Sequence, residues 1–291
     1  MPMMRQPTGL YDMTESIYAQ LKKMQRIPGA YEKWAGYRCA MTDYILSNTG
    51  RDSSLAVFGA GCCNDIDLAR LVGHFGSITL YDIDEAAMRQ ALMRCQLHEY
   101  PAIRIHALNL TGITALDYET FSDLLTGQLQ LFGTSIDPEL LAAGALSYLH
   151  TVYDRIRNHR IQLGQKRFDY TVSFGLHSQL NNMFAWIWNV FAQSLGCPDA
   201  SDGETSVLSY LAAQNAPIIS RVNDTILGCT GNTAFFANEL ENLSCHTPVS
   251  GALECIRDIK ERCPGCTAAV ADWNFSETVT YRMLLQKADI K

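Results

Sequence analysis

Residues Leu55 to Asp84 run LAVFGAGCCNDIDLARLVGHFGSITLYDID. Leu55, Ala56, Val57 and Phe58 are apolar without a break, the pattern of a strand buried on both faces of a parallel sheet. Gly59-Ala60-Gly61 turns the chain next. Glycine tolerates positive φ and has no Cβ, so a ligand can lie against the backbone there. Asn64 or Asp65 is expected to cap a helix whose face carries Ile66, Leu68, Ala69, Leu71 and Val72. A second strand, Ser77 to Tyr81, ends at Asp82. Strand, glycine turn, helix, strand and acid make half of a nucleotide-binding α/β unit. Asp82 lies roughly 20 residues past the turn, where a carboxylate at a strand end can accept both hydroxyls of a ribose.

The same turn also speaks against a ligand class. A pyrophosphate fingerprint, G-x-G-x-x-G/A, would place its third small residue at position 64. Asn64 stands there, and Asp65 adds negative charge where a pyrophosphate would meet a helix start. A ligand with no phosphate at this turn fits better. In Gly59, Ala60, Gly61 and Asp82 the sequence resembles the class I S-adenosylmethionine-dependent methyltransferases. Their first motif is a strand followed by G-x-G, and their second strand ends in a ribose-binding acid. Val57 stands where that family often has an acid, and Cys63 where it often has a third glycine. The resemblance runs from about Leu55 to the C-terminus and is specific in its first third.

The resemblance implies a Rossmann-like, seven-stranded, mostly parallel sheet with helices on both faces and a C-terminal antiparallel hairpin. It implies S-adenosylmethionine as cofactor and S-adenosylhomocysteine as product. Gly59, Ala60 and Gly61 would approach the methionine part, Asp82 the ribose with Ile83 beside it, and Asn109 and Leu110 the adenine. Ser173, Phe174 and Gly175 would face the sulfonium.

Two domains are expected: a helical cover over residues 1–50 and an α/β domain over 51–291. Leu10 to Asn48 reads as helical, broken near Pro28-Gly29. Tyr31, Trp34, Tyr37, Arg38 and Met41 fall at helical spacing and make an aromatic face with an arginine on it. That face is either packed on the main domain or a lid. In the lid reading Tyr37 lies over the ligand and Arg38 meets a carboxylate. Asn48-Thr49-Gly50 stops the helix.

After Asp82 come a helix, Glu85 to His98, and a third strand, Ala102 to Leu108. Thr111 to Lys166 is too long for a loop and reads as a helical insertion, with helices Tyr118 to Leu131 and Pro138 to Arg160. Phe168 to Gly175 is the fourth strand. Open α/β sheets bind ligands at the carboxyl ends of their strands, so His177, Ser178 and Gln179 form the polar cluster of interest. His177 is either a base taking a proton from the methyl acceptor or a residue that caps or orients the loop. Ser178 and Gln179 are placed with the acceptor. Asn181 to Gln193 and Asp202 to Ala213 read as helices and Pro217 to Val222 as the fifth strand. Gly228, Gly231 and Asn232 suggest a loop, and Thr233 to Leu243 a short helix. A helix, Gly251 to Arg262, then precedes strands Thr267 to Asp272 and Val279 to Gln286, close enough for a hairpin.

Composition sets the outer limits. At 291 residues the chain can bury roughly three quarters of its unfolded surface. A net charge of −7 argues against a nucleic-acid partner, which needs clustered basic residues. Arg155, Arg157, Arg160, Lys166 and Arg167 are the local exception, a solvated helix face or an anion site. The start MPMMRQPTGL has no signal-peptide core and no apolar run reaches the roughly 18 residues of a membrane span, so a cytoplasmic protein is expected. Ten cysteines in a chain this long do not make a disulfide scaffold. Cys263-Pro-Gly-Cys266 is a lone C-x-x-C after a helix, open to three readings: a turn, half of a zinc site or a redox pair. No metal is expected. Neither G-x-S-x-G nor H-E-x-x-H occurs.

The sequence therefore points to methyl transfer from S-adenosylmethionine to nitrogen or oxygen of a small molecule, in a monomer or homodimer. Two rivals stay open: a non-catalytic S-adenosylmethionine-binding or scaffold protein, and a nicotinamide-dependent oxidoreductase.

Overall fold

Alternation along β1 (Ser54–Phe58) sets the architecture. Leu55 and Val57 enter one hydrophobic cluster, while Ala56 and Phe58 enter another. Successive strand residues point to opposite faces, so the unbroken apolar run is a strand covered on both sides. The structure, a computed structural model, describes residues 15–133, 136–195 and 206–290. β2 (Ser77–Asp82) and β4 (Phe168–Phe174) pair in parallel with the two edges of β1. β3 (Ile103–Ala107) lies outside β2 and β5 (Thr230–Asn242) outside β4, both parallel. β8 (Thr280–Asp289) runs antiparallel beside β5, and β7 (Thr267–Asn274) antiparallel outside β8. The path is β3-β2-β1-β4-β5-β8-β7, the expected seven-stranded, mostly parallel sheet ending in an antiparallel hairpin. One short strand was not expected: β6 (Thr247–Pro248) pairs with the end of β5 off this path.

Helices cover both faces. Those named α1 (Ile17–Met24), α6 (Ala115–Phe132), α7 (Pro138–Ile156), α8 (Asn182–Ser194), α9 (Val207–Ala213) and α10 (Asn215–Cys229) share the cluster of Ala56 and Phe58. On the other face α3 (Ala35–Ser47), α4 (Leu68–Val72) and α5 (Glu85–Arg94) pack on Leu55 and Val57. The N-terminal segment is thus divided. Tyr18 and Leu21 of α1 join one cluster, and Tyr37, Met41 and Ile45 of α3 the other. The break expected near Pro28-Gly29 is real: Gly29, at φ +67°, starts the one-turn α2 (Ala30–Lys33). Phe58, Phe121, Phe184, Phe235 and Phe236 are fully buried, each contributing about 1.5–3 kcal/mol by leaving water.

Both helices of the insertion form. Thr114 and Asp117 make a reciprocal capping box at the start of α6, and Asp137 caps α7 with Pro138 in its first turn. Arg155 of α7 then pairs with Asp117 at 2.6 Å, tying the two helices together.

Three local expectations are corrected. Asp67, not Asn64 or Asp65, caps the helix after the glycine turn, accepting from the Arg70 N–H at 3.3 Å. Cys63 at φ +49° prolongs the loop, and Ile66 is already buried before the helix begins. Pro217 to Val222 is not a strand but lies in α10. Pro217 sits in the first turn, where a missing N–H costs nothing. Buried Ile218, Ile219, Val222, Ile226 and Cys229 keep helical spacing. The fifth strand is instead β5, across the segment read as loop and short helix. Ala234 and Phe236 bury on one face and Phe235 and Ala237 on the other. A strand covered twice has no period-2 signal to distinguish it from a short helix. The start at Asp202 lies outside the described residues, as do residues 1–14; α9 begins at Val207 with Ser206 as its cap.

Candidate functional site

The strand order reverses between β1 and β4, and the loops leaving these strands border the crevice that such a reversal creates. Gly59 and Ala60 both donate their N–H groups to Tyr81 O, at 2.8 and 3.1 Å. Gly59 holds φ +71°, and a Cβ there would stand 2.8 Å from Leu176 Cδ1, so the loops after β1 and β4 touch. Around Gly61, at φ +47°, a Cβ would meet only Asp82 Oδ2, at 3.9 Å. The Gly61 N–H donates to that oxygen at 2.9 Å, and the Asp84 N–H to Asp82 Oδ1 at 2.8 Å. Each carboxylate oxygen keeps a second lone pair. Burial raises the Asp82 pKa, while the Asp84 and Gly61 N–H groups oppose the rise.

Ile83, next in the chain, is 62% exposed, an apolar side chain left bare beside the carboxylate. Leu108 closes the turn after β3 by donating its N–H to Asp82 O at 2.9 Å. Leu110 is partly buried against the helical layer. Asn109 is placed differently from its expected role at a base edge. Its Nδ2 donates to Ile113 O at 2.7 Å, and its Oδ1 accepts from the Thr111 and Gly112 N–H groups at 3.2 and 2.9 Å. Its amide shapes the turn.

The N-terminal helices are latched onto the glycine loop. The guanidinium groups of Arg38 and Arg94 each lie 3.7 Å from the centroid of the Tyr31 ring. Arg38 also donates to Tyr31 O and, at 3.3 Å, to Asn64 O. Arg94 donates to Cys62 O at 2.6 Å and to Asn64 Oδ1 at 3.2 Å. Asp65 is half-buried within this arrangement. Burial takes its carboxyl up to about 7, helped by the charge of Asp82 and opposed by a backbone hydrogen bond and Arg38. Tyr37 is buried and stacks on Trp273 with ring centroids 5.0 Å apart. Trp34 meets Trp273 edge-on at 4.7 Å and donates its indole N–H to Phe275 O at 2.9 Å.

At the end of β4, Ser173 is fully buried and its hydroxyl has no hydrogen-bond partner among the described residues. Phe174 is buried, and Gly175 turns the chain at φ +59°. Gln179 Nε2 donates to Gly175 O at 2.8 Å, holding the turn closed. Ser178 Oγ donates to Glu239 Oε1 at 2.8 Å. Glu239 is 4% exposed, and its second oxygen has no partner among the described residues. Burial raises its pKa. A Cβ on Gly175 would lie 4.0 Å from Glu239 Oε1 and 3.9 Å from the Trp273 ring. Gly175 and Ser178, past the end of β4, therefore gather at one spot with Glu239 of β5 and Trp273 of β7.

His177 points elsewhere. It is 1% exposed, and its Nε2 pairs with Asn223 Oδ1 at 2.9 Å. Asn223 in turn donates to Asp258 Oδ2 at 2.8 Å, and Asp258 pairs with Arg262 at 2.7 Å. The imidazole thus ties the loop after β4 to α10 and to α11 (Ala252–Arg262). Burial lowers its pKa to about 4, against the raising effect of the Asn223 bond.

Glu239 was not among the residues expected at the site, and of the two tasks expected of Asp65 the helix cap falls to Asp67. Glu239 sat in a segment read as helical; an acid two residues past the apolar run Ala234 to Ala237 was the signal. Cys266 donates its N–H to Cys263 O at 2.9 Å, a turn following α11. Among the described residues no three His, Cys, Asp or Glu side chains group as a metal set, and no helix is long and apolar enough to cross a membrane.

No protein-family model and no curated protein matches the chain. Among solved structures it is similar to N-methyltransferase NodS from Bradyrhizobium japonicum WM9, at 12% identity over 91% of this chain and 99% of that one, with a TM-score of 0.46. It is similar to a SAM dependent methyltransferase from Aquifex aeolicus at 10% identity over 95% and 100%, with a TM-score of 0.44. Magnesium protoporphyrin IX methyltransferase (ChlM) from Synechocystis PCC 6803 with bound SAM is a third, at 9% identity over 90% and 85%, TM-score 0.42.

Proposed function

We propose that this chain transfers a methyl group from S-adenosylmethionine to a nitrogen or oxygen of a small molecule. One observation carries the reading: Asp65 and Asp82 both stand at the glycine turn, with Arg38 beside Asp65. Two carboxyl groups repel a pyrophosphate, which speaks against a nicotinamide dinucleotide. They suit a ligand that carries an ammonium group and a ribose, and Arg38 suits its carboxylate.

The residues fit such a ligand in further respects. The backbone at Gly61 has open space beside it, Asp82 keeps lone pairs for a diol, and exposed Ile83 offers an apolar face for a flat base. When bound, the cofactor supplies a methyl group on a positively charged sulfur. The chain's part is to hold the acceptor in line with that group, exclude water and receive the proton that the acceptor loses. Tyr37 and Trp273 cover the strand ends, and Glu239 is the group we assign to the proton. His177 keeps the loop in place. Asn109 shapes its turn, and Leu110 borders the base. The net charge of −7 supports a small acceptor over a nucleic acid.

Calorimetric titration with S-adenosylmethionine, S-adenosylhomocysteine and NADH tests the reading. Micromolar binding of the first two and none of the third is expected. Asp82→Ala is expected to weaken binding by about 1.5 kcal/mol or more, the scale of a hydrogen bond to a charged group. Binding of NADH alone would overturn the proposal. Tight cofactor binding with no turnover across amine and hydroxyl acceptors would leave a binding protein in its place.

A further inference from the structure

A cavity of about 260 Å³ opens between α7, α9 and α10, and none of its walls belongs to the site described above. Its lining includes His150 and Asp154 from α7, Arg157 just after it, Tyr210 from α9, and Arg221 from α10. Arg157 is paired with Asp154. Arg221 is half-buried and makes no ion pair among the described residues. Burial lowers its pKa, and the neighbouring Arg160 pushes the same way. Among the described residues Arg160 bonds only to carbonyls, those of Arg157 and His159, at 3.1 and 3.0 Å. Asp154 is therefore the one acid, among the described residues, paired within this group of three guanidinium groups.

We propose that this cavity binds a small organic anion, a carboxylate or a phosphate ester, held by Arg221 and Arg157 against the Tyr210 ring. A partly desolvated guanidinium without a counter-charge is costly, and its planar fork matches the oxygens of a carboxylate or phosphate. The 15-residue helix α10 starts in the same wall with no side chain capping it, so its positive end adds to the field. Pro217, Ile218 and Tyr210 supply an apolar side for the rest of the ligand.

The wall is also connected to the loop after β4. Tyr153 lines the cavity and donates its hydroxyl to Asn181 Oδ1. Asn181 Nδ2 holds Leu211 O at 2.7 Å and Asn215 Oδ1 at 3.2 Å. Asn181 lies two residues past the 3-10 turn His177–Gln179.

The test is calorimetric titration of the full chain at low salt, without S-adenosylmethionine, using inorganic phosphate and benzoate as separate probes. Submillimolar binding of one or both is expected, the tighter probe naming the class of acid group. Arg221→Gln is expected to weaken it about tenfold or more, while Arg51→Gln, an exposed arginine outside the walls, leaves it unchanged. Tyr210→Ala serves as a second variant should Arg221→Gln fold poorly, and is expected to weaken benzoate more than phosphate. No binding of either probe up to about 10 mM, or binding unchanged in Arg221→Gln, would overturn the proposal. Because cofactor is absent, neither outcome bears on the methyl-transfer reading.

Discussion

Ser178 Oγ donates to Glu239 Oε1 at 2.8 Å, and the other oxygen of this buried acid is left without a partner among the described residues. A carboxyl in that state is a poor structural element, because a buried polar atom without a hydrogen bond is destabilising by about 1–3 kcal/mol. Beside Gly175, just past the end of β4, it is suited to accept a proton.

Glu239→Gln keeps the shape and the Ser178 bond but removes the base. Turnover is expected to fall at least about 100-fold, with S-adenosylmethionine affinity within about twofold. The raised pKa of Glu239 follows from burial, and a base works only when ionised. Wild-type kcat should therefore rise with pH through that pKa and flatten above it, and the variant should lack that limb. Unchanged kcat in the variant would remove Glu239 from the chemistry.

Gly59 and Gly61 predict different costs. Gly59→Ala meets Leu176 at 2.8 Å and also strains φ, so a loss of about 2–3 kcal/mol is expected in urea unfolding. Gly61→Ala has room for its methyl group and should cost only about 1 kcal/mol of left-handed strain. Its larger effect should be on cofactor titration, where the methyl intrudes on the space beside the backbone. Equal stability losses would mean that the Gly59–Leu176 contact relaxes freely.

His177 makes the fold acid-sensitive. Its pKa is about 4 in the folded chain and near 6.5 unfolded, so protons bind the unfolded state more readily. The stability contributed by neutral His177 is present above about pH 6.5 and is lost as pH falls toward 4. The loss is on the order of 3 kcal/mol, and it should be smaller in His177→Gln. Urea unfolding at several pH values reads it, and parallel pH profiles for wild type and variant would contradict the assignment.

Asp65 has the opposite sign. Its carboxyl sits near 7 folded and near 3.9 unfolded, so the folded state is favoured by protonation. That contribution is full below about pH 4 and fades as pH rises to 7. Asp65→Asn is expected to gain about 1–2 kcal/mol relative to wild type at pH 8 and little at pH 4. Half-burial leaves part of the carboxylate's hydration in place, which keeps the gain modest. The same variant should bind S-adenosylmethionine more weakly at pH 8, since a charge facing the ligand is gone.

The first α/β unit was legible from local chemistry. Leu55 to Phe58, the glycine turn and Asp82 each carry a requirement that sits within a few residues: double burial, positive φ, a strand-end acid. The terminal hairpin was legible for the same reason. The fifth strand was not. Ala234 to Ala237 is apolar without a break because helices cover both faces of β5, and that uniformity erases the alternation by which a strand is recognised. Pro217 to Val222 misled in the other direction, since a proline in a helix's first turn resembles one at a strand start.

The sequence by itself determined the order of elements through the glycine unit, the acid that ends the second strand, and the helical insertion, because hydrogen bonding and hydrophobic periodicity act over short distances. Only the tertiary structure decided the roles around them. His177 turned to Asn223, 46 residues later in the chain, and Ser178 turned to Glu239, 61 residues later. Neighbours in sequence on one 3-10 turn project in different directions, and which side meets the crevice depends on how β5 and α10 pack against it. Burial of Asp65 and isolation of Arg221 are likewise properties of the assembled core, since desolvation exists only once distant segments have closed around a charge.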